Sequence, residues 1–164
     1  MDYLDAKHKF IQAWGTLGSN WGINKAMAQI HALLIISPEA LTADEIMDEL
    51  QMSRGNVNMN VRALMDWGIV TKENKVGDRK DYFVADKDVW ELARQVSRER
   101  RKREIEPIIK VLSQVQVVEG SGKKVDEFKA VTGELKDFSE KVDGVLDKFV
   151  KSDQNWFVKL LMKL

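Results

Sequence analysis

Apolar side chains recur along this chain first at a helical period, then briefly at a period of two, then at a helical period again. Tyr3, Phe10, Trp14 and Leu17, with Leu4 and Ile11 beside them, repeat near 3.6 residues and predict an amphipathic helix over Asp2 to Leu17. Gly15, Gly18 and Gly22 are expected to loosen it into a turn. Asn24 is a favourable N-cap for a second helix, Lys25 to Ser37, which is apolar nearly all round and so expected to be buried. Pro38 ends it. Thr42 and Glu45 have the spacing of a capping box, which predicts a short third helix running to Leu50 or Gln51. Ile46 and Leu50 face inward there, and Asp44, Asp48 and Glu49 face water. Ser53 caps a fourth helix, Arg54 to Trp67, whose apolar stripe is Val57, Val61, Leu64 and Met65, and Gly68 suits its C-terminal stop. The period then shortens. Ile69 to Lys72 and Tyr82 to Ala85 read as two strands joined by a polar segment with Gly77-Asp78 at its turn, a hairpin with a charged tip.

Asp86 or Asp88 caps a long helix from near Val89, with Trp90, Ala93 and Val96 on one face. No apolar residue occurs from Ser97 to Glu104, where the basic run Arg98 to Arg103 sits; apolar periodicity returns at Ile105, Ile108, Ile109, Leu112 and Val115, with a kink expected at Pro107. Gly120-Ser121-Gly122 is a break. Beyond it Phe128, Val131, Leu135, Phe138, Val142, Val145 and Phe149 alternate three and four apart, an a/d seam of three heptads. A final amphipathic piece carries Trp156, Phe157, Leu160, Leu161 and Leu164.

Composition narrows the function classes. A chain of 164 residues holds one domain, or a small domain with an appendage. With 44% apolar and 32% charged residues it is soluble, globular and helix-rich. The absence of cysteine removes disulfides, thiolate metal sites and thiol catalysis, and two histidines, His8 and His31, are too few for a zinc site without carboxylate help. The longest apolar stretch, Ile30 to Ser37, is too short to span a bilayer, and the acidic N-terminus lacks a signal-peptide core, so a cytoplasmic protein without membrane contact is expected. The net charge of zero is unevenly spread: residues 1–90 carry −3, residues 91–110 carry +3, and the remainder is neutral. Any DNA binding must therefore come from a local arrangement of bases on one face.

The order helix, short helix, tight turn, helix, hairpin, helix is that of a winged helix-turn-helix. The expected fold is mainly α with a small β-hairpin wing: a first helix and winged DNA-binding domain over residues 1–90, then a helical dimerisation region over 91–164 with a break near 120–124. The fourth helix buries Val57, Val61 and Leu64 and leaves Arg54, Asn56, Asn58, Asn60 and Arg62 on its other sides. Asparagine forms helices poorly, but its amide pairs with adenine in the major groove, and arginine pairs with guanine. No acid occurs from Ser53 to Met65. Ser53, Arg54, Gly55, Asn56, Asn58, Met59 and Arg62 are thus the candidate recognition residues, with Gly55 allowing close approach of the backbone. On the wing, Arg79 is the first candidate for a phosphate or minor-groove contact, with Lys75 and Lys80 behind it; Asp78 either holds Arg79 or starts the turn.

Several motifs together resemble the GbsR branch of the MarR-type transcriptional regulators. They are Gly22-Ile23-Asn24-Lys25, Ala28-Gln29-Ile30, Leu33-Leu34, Ser53-Arg54-Gly55-Asn56-Val57-Asn58, Trp67-Gly68, Gly77-Asp78-Arg79-Lys80-Asp81-Tyr82-Phe83 and Arg98 to Glu106. The resemblance runs from about His8 to Leu112. It implies a homodimeric winged-helix repressor reading double-stranded DNA at a pseudo-palindromic operator, in a family with some members linked to choline or glycine betaine. A winged helix serving as a protein-interaction module, without DNA binding, is the alternative.

Five tryptophans are many for this length, and Trp14, Trp21 and Trp90 are candidates for cation–π contact with a quaternary ammonium effector. Their other reading is packing between the DNA-binding part and the dimer helices. Gly120 to Lys124 departs from a phosphate loop, with Val117 and Lys124 where glycine and Ser or Thr are required, and reads as a linker. His31 reads as a hydrogen-bonded core residue. The run Arg98 to Arg103 reads as a solvated helix face with i,i+4 pairs, or as a flank touching DNA. No catalytic arrangement, cofactor or metal site is predicted, and an enzyme is not expected.

Overall fold

The computed structural model describes residues 1–152 and Met162. The chain divides into two compact units, Met1–Leu92 and Ala93–Leu164. The amphipathic piece from Trp156 to Leu164 lies outside the described residues.

The first unit opens with α1 (Tyr3–Asn20), capped by the Asp2 carboxylate, which accepts from the Asp5 amide. α1 continues through Gly15 and Gly18, both buried, instead of loosening there. The reason lies across the helix pair. A Cβ on Gly15 would stand 2.7 Å from Cγ of Gln29, and one on Gly18 would stand 2.6 Å from Cβ of Ala28. The two glycines let α1 press against α2 (Lys25–Ile36). The Asn24 side chain caps α2, accepting from the amides of Ala26 and Met27. Ile30, Ala32, Leu33 and Leu34 of α2 are almost wholly removed from solvent and form the centre of the core. Of the apolar face expected on α1, Ile11 is buried, whereas Tyr3, Leu4 and Leu17 remain exposed.

The capping box forms as expected. Thr42 Oγ1 accepts from the Glu45 amide, and the Glu45 carboxylate accepts from the Thr42 amide at 2.7 Å, opening α3 (Ala43–Leu50). Gln51 closes α3 in the left-handed region at φ 52°, a conformation costly for a residue with a Cβ; its backbone N–H donates to the Met47 carbonyl and its side-chain Nε2 to the Asp48 carbonyl. That turn leads into α4 (Arg54–Asp66), capped by Ser53. Val57, Val61 and Leu64 face the core, while Met65, expected in the same stripe, is exposed. Gly68 takes a positive φ of 68° just past the helix, where its missing Cβ removes the penalty, and the Ile69 amide donates back to the Leu64 carbonyl.

The expected hairpin is part of a three-stranded antiparallel sheet in the order β1-β3-β2. β2 (Val70–Asn74) and β3 (Asp81–Ala85) are the two arms. β1 (Leu41–Thr42) adds two residues to the other edge of β3, with Leu41 opposite Phe83 and Thr42 opposite Tyr82. A two-residue strand has no periodicity to detect, so its partner alone reveals it.

α5 (Val89–Arg100) is capped by Asp88, whose carboxylate accepts from the amides of Trp90 and Glu91. A π-helical turn, Arg101–Ile105, leads from it into α6 (Glu106–Val115). The expected irregularity at Pro107 thus falls one turn earlier. Proline has no N–H for an i−4 bond and its ring crowds the carbonyl four residues back, so the widened turn precedes it. Gly120 and Gly122, both at positive φ, make the break before α7 (Lys123–Lys151).

In the second unit α7 packs on α6 through a face different from its apolar seam. Gln116, the C-cap of α6, donates to the Lys129 carbonyl and to Thr132 Oγ1, and the Arg101 guanidinium holds Asp143 at 2.5 Å and Asp147 at 2.7 Å. The seam lies roughly a third of a turn away at 100° per residue. Phe128, Val131, Leu135, Phe138 and Val145 on it are all exposed, Phe138 by 65%. The basic run is correspondingly only partly solvated: Arg101 is tied to α7, and Arg103 pairs with the buried Glu99 at 2.9 Å. No helix among the described residues is long and apolar enough to cross a membrane.

Candidate nucleic-acid interface

Burial against the core turns one stripe of α4 outward. Gly55, Asn58, Met59 and Arg62 follow one another at i, i+3, i+4 and i+7, and all four are exposed, Met59 by 61%. The stripe contains no acid. A Cβ placed on Gly55 would meet nothing within 4 Å, and its φ is negative, so neither crowding nor backbone conformation in this chain calls for glycine there. A glycine in the first turn costs about 1 kcal/mol or less relative to alanine, with no return inside the fold.

The other recognition candidates are placed less simply. Ser53 is exposed, and its hydroxyl is engaged as the cap, accepting from the Asn56 amide at 3.4 Å. The Arg54 guanidinium turns back to α3 and pairs with Asp44 at 2.6 Å, both side chains being more than half exposed. Such a pair is weak in water and exchanges readily for a phosphate. Asn56 is half-buried on the flank of the stripe. Asn60, expected among the outward residues, is instead buried. Its side-chain nitrogen donates to the Asn56 carbonyl at 2.9 Å and to Asn56 Oδ1 at 2.6 Å. The signal for this was present: Asn60 lies three residues from Val57 and four from Leu64, on the core side of a 3.6-residue period.

Asp78 organises the wing tip. Its carboxylate accepts from the Tyr82 hydroxyl at 2.7 Å and from the Lys80 amide at 2.9 Å. The Tyr82 bond, and then the Lys80 amide, hold this carboxyl below the usual range, and the same bond raises the Tyr82 phenol. The Lys75 ammonium lies over the Tyr82 ring, 4.1 Å from its centroid. Asp78 therefore serves the turn and Tyr82, leaving the Arg79 side chain exposed, its guanidinium in no hydrogen bond or ion pair among the described residues. Glu45, at the start of α3, is held low by its Thr42 bonds, with Lys75 and Lys80 contributing more weakly. The wing thus presents one free guanidinium and two lysines whose charges are partly balanced.

Trp14 is half-buried between Phe10, with ring centroids 5.6 Å apart, and His31, at 6.5 Å. Trp21 caps the end of α1 and is 59% exposed; Trp90 lies in the first turn of α5. His31 belongs to the core as expected, but its Nε2 has no hydrogen-bond partner, which corrects the expectation of a satisfied imidazole. Desolvation lowers its pKa to about 4.

The MarR family model matches residues 21–81, the span from the end of α1 to the start of β3. The chain is 28% identical over 96 residues to the HTH-type transcriptional repressor GbsR of Bacillus subtilis (strain 168). That match covers 58% of this chain and about half, 53%, of the relative. A solved structure described as a transcriptional regulator superposes with a TM-score of 0.69 at 16% identity, covering 88% of this chain and 95% of the other. It shares the fold, extending the likeness beyond the MarR-matched segment.

Proposed function

We propose that this chain is a sequence-specific, DNA-binding transcriptional regulator of the cytoplasm, a homodimeric repressor reading a pseudo-palindromic operator. α4 enters the major groove, and Arg79 with Lys75 and Lys80 follows the backbone or minor groove. The observation that carries this reading is the acid-free stripe Gly55, Asn58, Met59 and Arg62, with a glycine that the fold does not require. The GbsR relative, named a repressor, supports it. The exposed seam of α7 supports the dimer, because a row of apolar side chains in water is stabilised by a second copy. Two α4 helices in such a dimer contact half-sites one helical turn apart, about 34 Å. A small effector, for which the resemblance suggests choline or glycine betaine, would act by its differential affinity for two spacings of these helices.

The test is binding to a duplex selected from a random pool, followed across salt concentration. Log affinity against log salt should fall with a slope near −0.9 per phosphate contact. Asn58→Ala should cost about 1–3 kcal/mol on the selected site and little on random DNA. Arg79→Ala should weaken both alike and reduce the salt slope by about 1. A chain with no measurable affinity for any duplex removes the reading and leaves a winged-helix protein-interaction module in its place.

A further inference from the structure

Asn60 is 3% exposed and cannot touch DNA, yet both bonds from its amide nitrogen end on Asn56. A backbone carbonyl only accepts, so the 2.9 Å contact with the Asn56 carbonyl requires that the Asn60 atom be its nitrogen. Once that end is nitrogen, the Asn56 atom 2.6 Å from it has to be an acceptor, the side-chain oxygen. The two hydrogens of one NH2 group are thereby used, and the orientation of both amides follows from the chemistry of donors and acceptors.

Resting on the function proposed above, we propose that Asn60 is a positioning residue that sets the hydrogen-bonding polarity of Asn56. With its oxygen held inward, Asn56 offers its two N–H groups to the groove. The adenine pairing expected of a free asparagine needs oxygen and nitrogen side by side at the base edge, accepting from N6 and donating to N7. That arrangement is closed to Asn56. A pair of donors matches guanine, whose N7 and O6 are both acceptors, and opposes cytosine, whose major-groove group is a donor. Residue 56 therefore selects guanine first and rejects cytosine most.

Two measurements test this. The first needs no DNA: in 15N-resolved NMR of the free protein, the side-chain amide protons of Asn60 should exchange slowly with water and those of Asn56 fast. Fast exchange at Asn60 overturns the proposal. In the second, wild type and variants are assayed against single-base variants of the selected duplex. Asn56→Ala identifies the base pair read by residue 56 as the one whose preference disappears. At that pair wild type should favour guanine over cytosine by on the order of tenfold. Asn60→Val frees the Asn56 amide to rotate, so this discrimination should fall to roughly threefold or less, adenine should gain, and the other pairs should keep their preferences. Asn60→Ser, which retains a donor for one of the two acceptors, should lie between. A merely structural Asn60 would lower the melting temperature or weaken all duplexes alike. An unchanged base preference in Asn60→Val, or adenine preferred by wild type, overturns the proposal. Wild type that binds no duplex overturns the function and this inference with it, and is distinguished by the missing salt-dependent affinity.

Discussion

Gly18 of α1 lies so close to Ala28 of α2 that a Cβ on it would stand 2.6 Å from the Ala28 Cβ. Neither helix can relieve that distance by turning a side chain, because both atoms are fixed to backbone. Gly18→Ala should therefore destabilise the first unit by about 1–3 kcal/mol, the usual range for overpacking, after offsetting the helix propensity it gains. Gly15 is the control. The nearest atom to its Cβ position, at 2.7 Å, is Cγ of Gln29, on a half-buried side chain with rotatable bonds. Gly15→Ala should lower the melting temperature less. Thermal melts of the two variants decide it, and equal losses would contradict the account of the α1–α2 contact.

Gly55 should show the opposite balance. Open space surrounds its Cβ position, and its backbone is helical. Gly55→Ala should stabilise the fold by up to about 1 kcal/mol. If the backbone there approaches DNA, the same change should weaken binding to the selected duplex. Stability up with affinity down separates a functional glycine from a structural one; affinity unchanged removes Gly55 from the interface.

His31 makes stability depend on pH. Burial lowers its pKa from 6.5 to about 4, so the folded ring stays neutral where the unfolded ring takes a proton. Its contribution is fully present above pH 6.5 and is lost as pH falls from 6.5 toward 4, when the unfolded state binds more protons. At 1.36 kcal/mol per pKa unit the loss approaches about 3 kcal/mol. Denaturant titrations across this window should show the slope, and His31→Leu should flatten it while removing the unpartnered Nε2. A wild-type slope that persists in His31→Leu would assign it to the carboxylates.

The α7 seam should control assembly. Phe138 is 65% exposed and lies mid-seam, away from the Arg101 clamp on Asp143 and Asp147. Phe138→Glu should leave helix content unchanged and convert a dimer to a monomer in sedimentation at micromolar concentration. Glu140→Gln, on another face of α7, should not. A dimer that survives Phe138→Glu would place the subunit contact elsewhere.

What the sequence alone determined is what depends on partners within about four residues. The caps at Asn24, Thr42, Ser53 and Asp88 join side chains to amides two or three positions on, and each formed. The stop at Gly68, the break at Gly120 to Gly122 and the helical stripe of α4 are equally local, and so the winged-helix order and the outward stripe of α4 were legible. The tertiary structure alone decided the rest. β1 exists because β3, some 40 residues on, supplies its partner. Gly15 and Gly18 resemble helix breakers until α2 is laid against them. Arg101 is drawn from the basic run by carboxylates more than 40 residues away. Which face of α7 packs also follows from Gln116 and Arg101, whereas the strongest apolar period stays outside. Hydrophobic periodicity reports that a face prefers to leave water; it carries no information about which surface, or which copy of the chain, removes it.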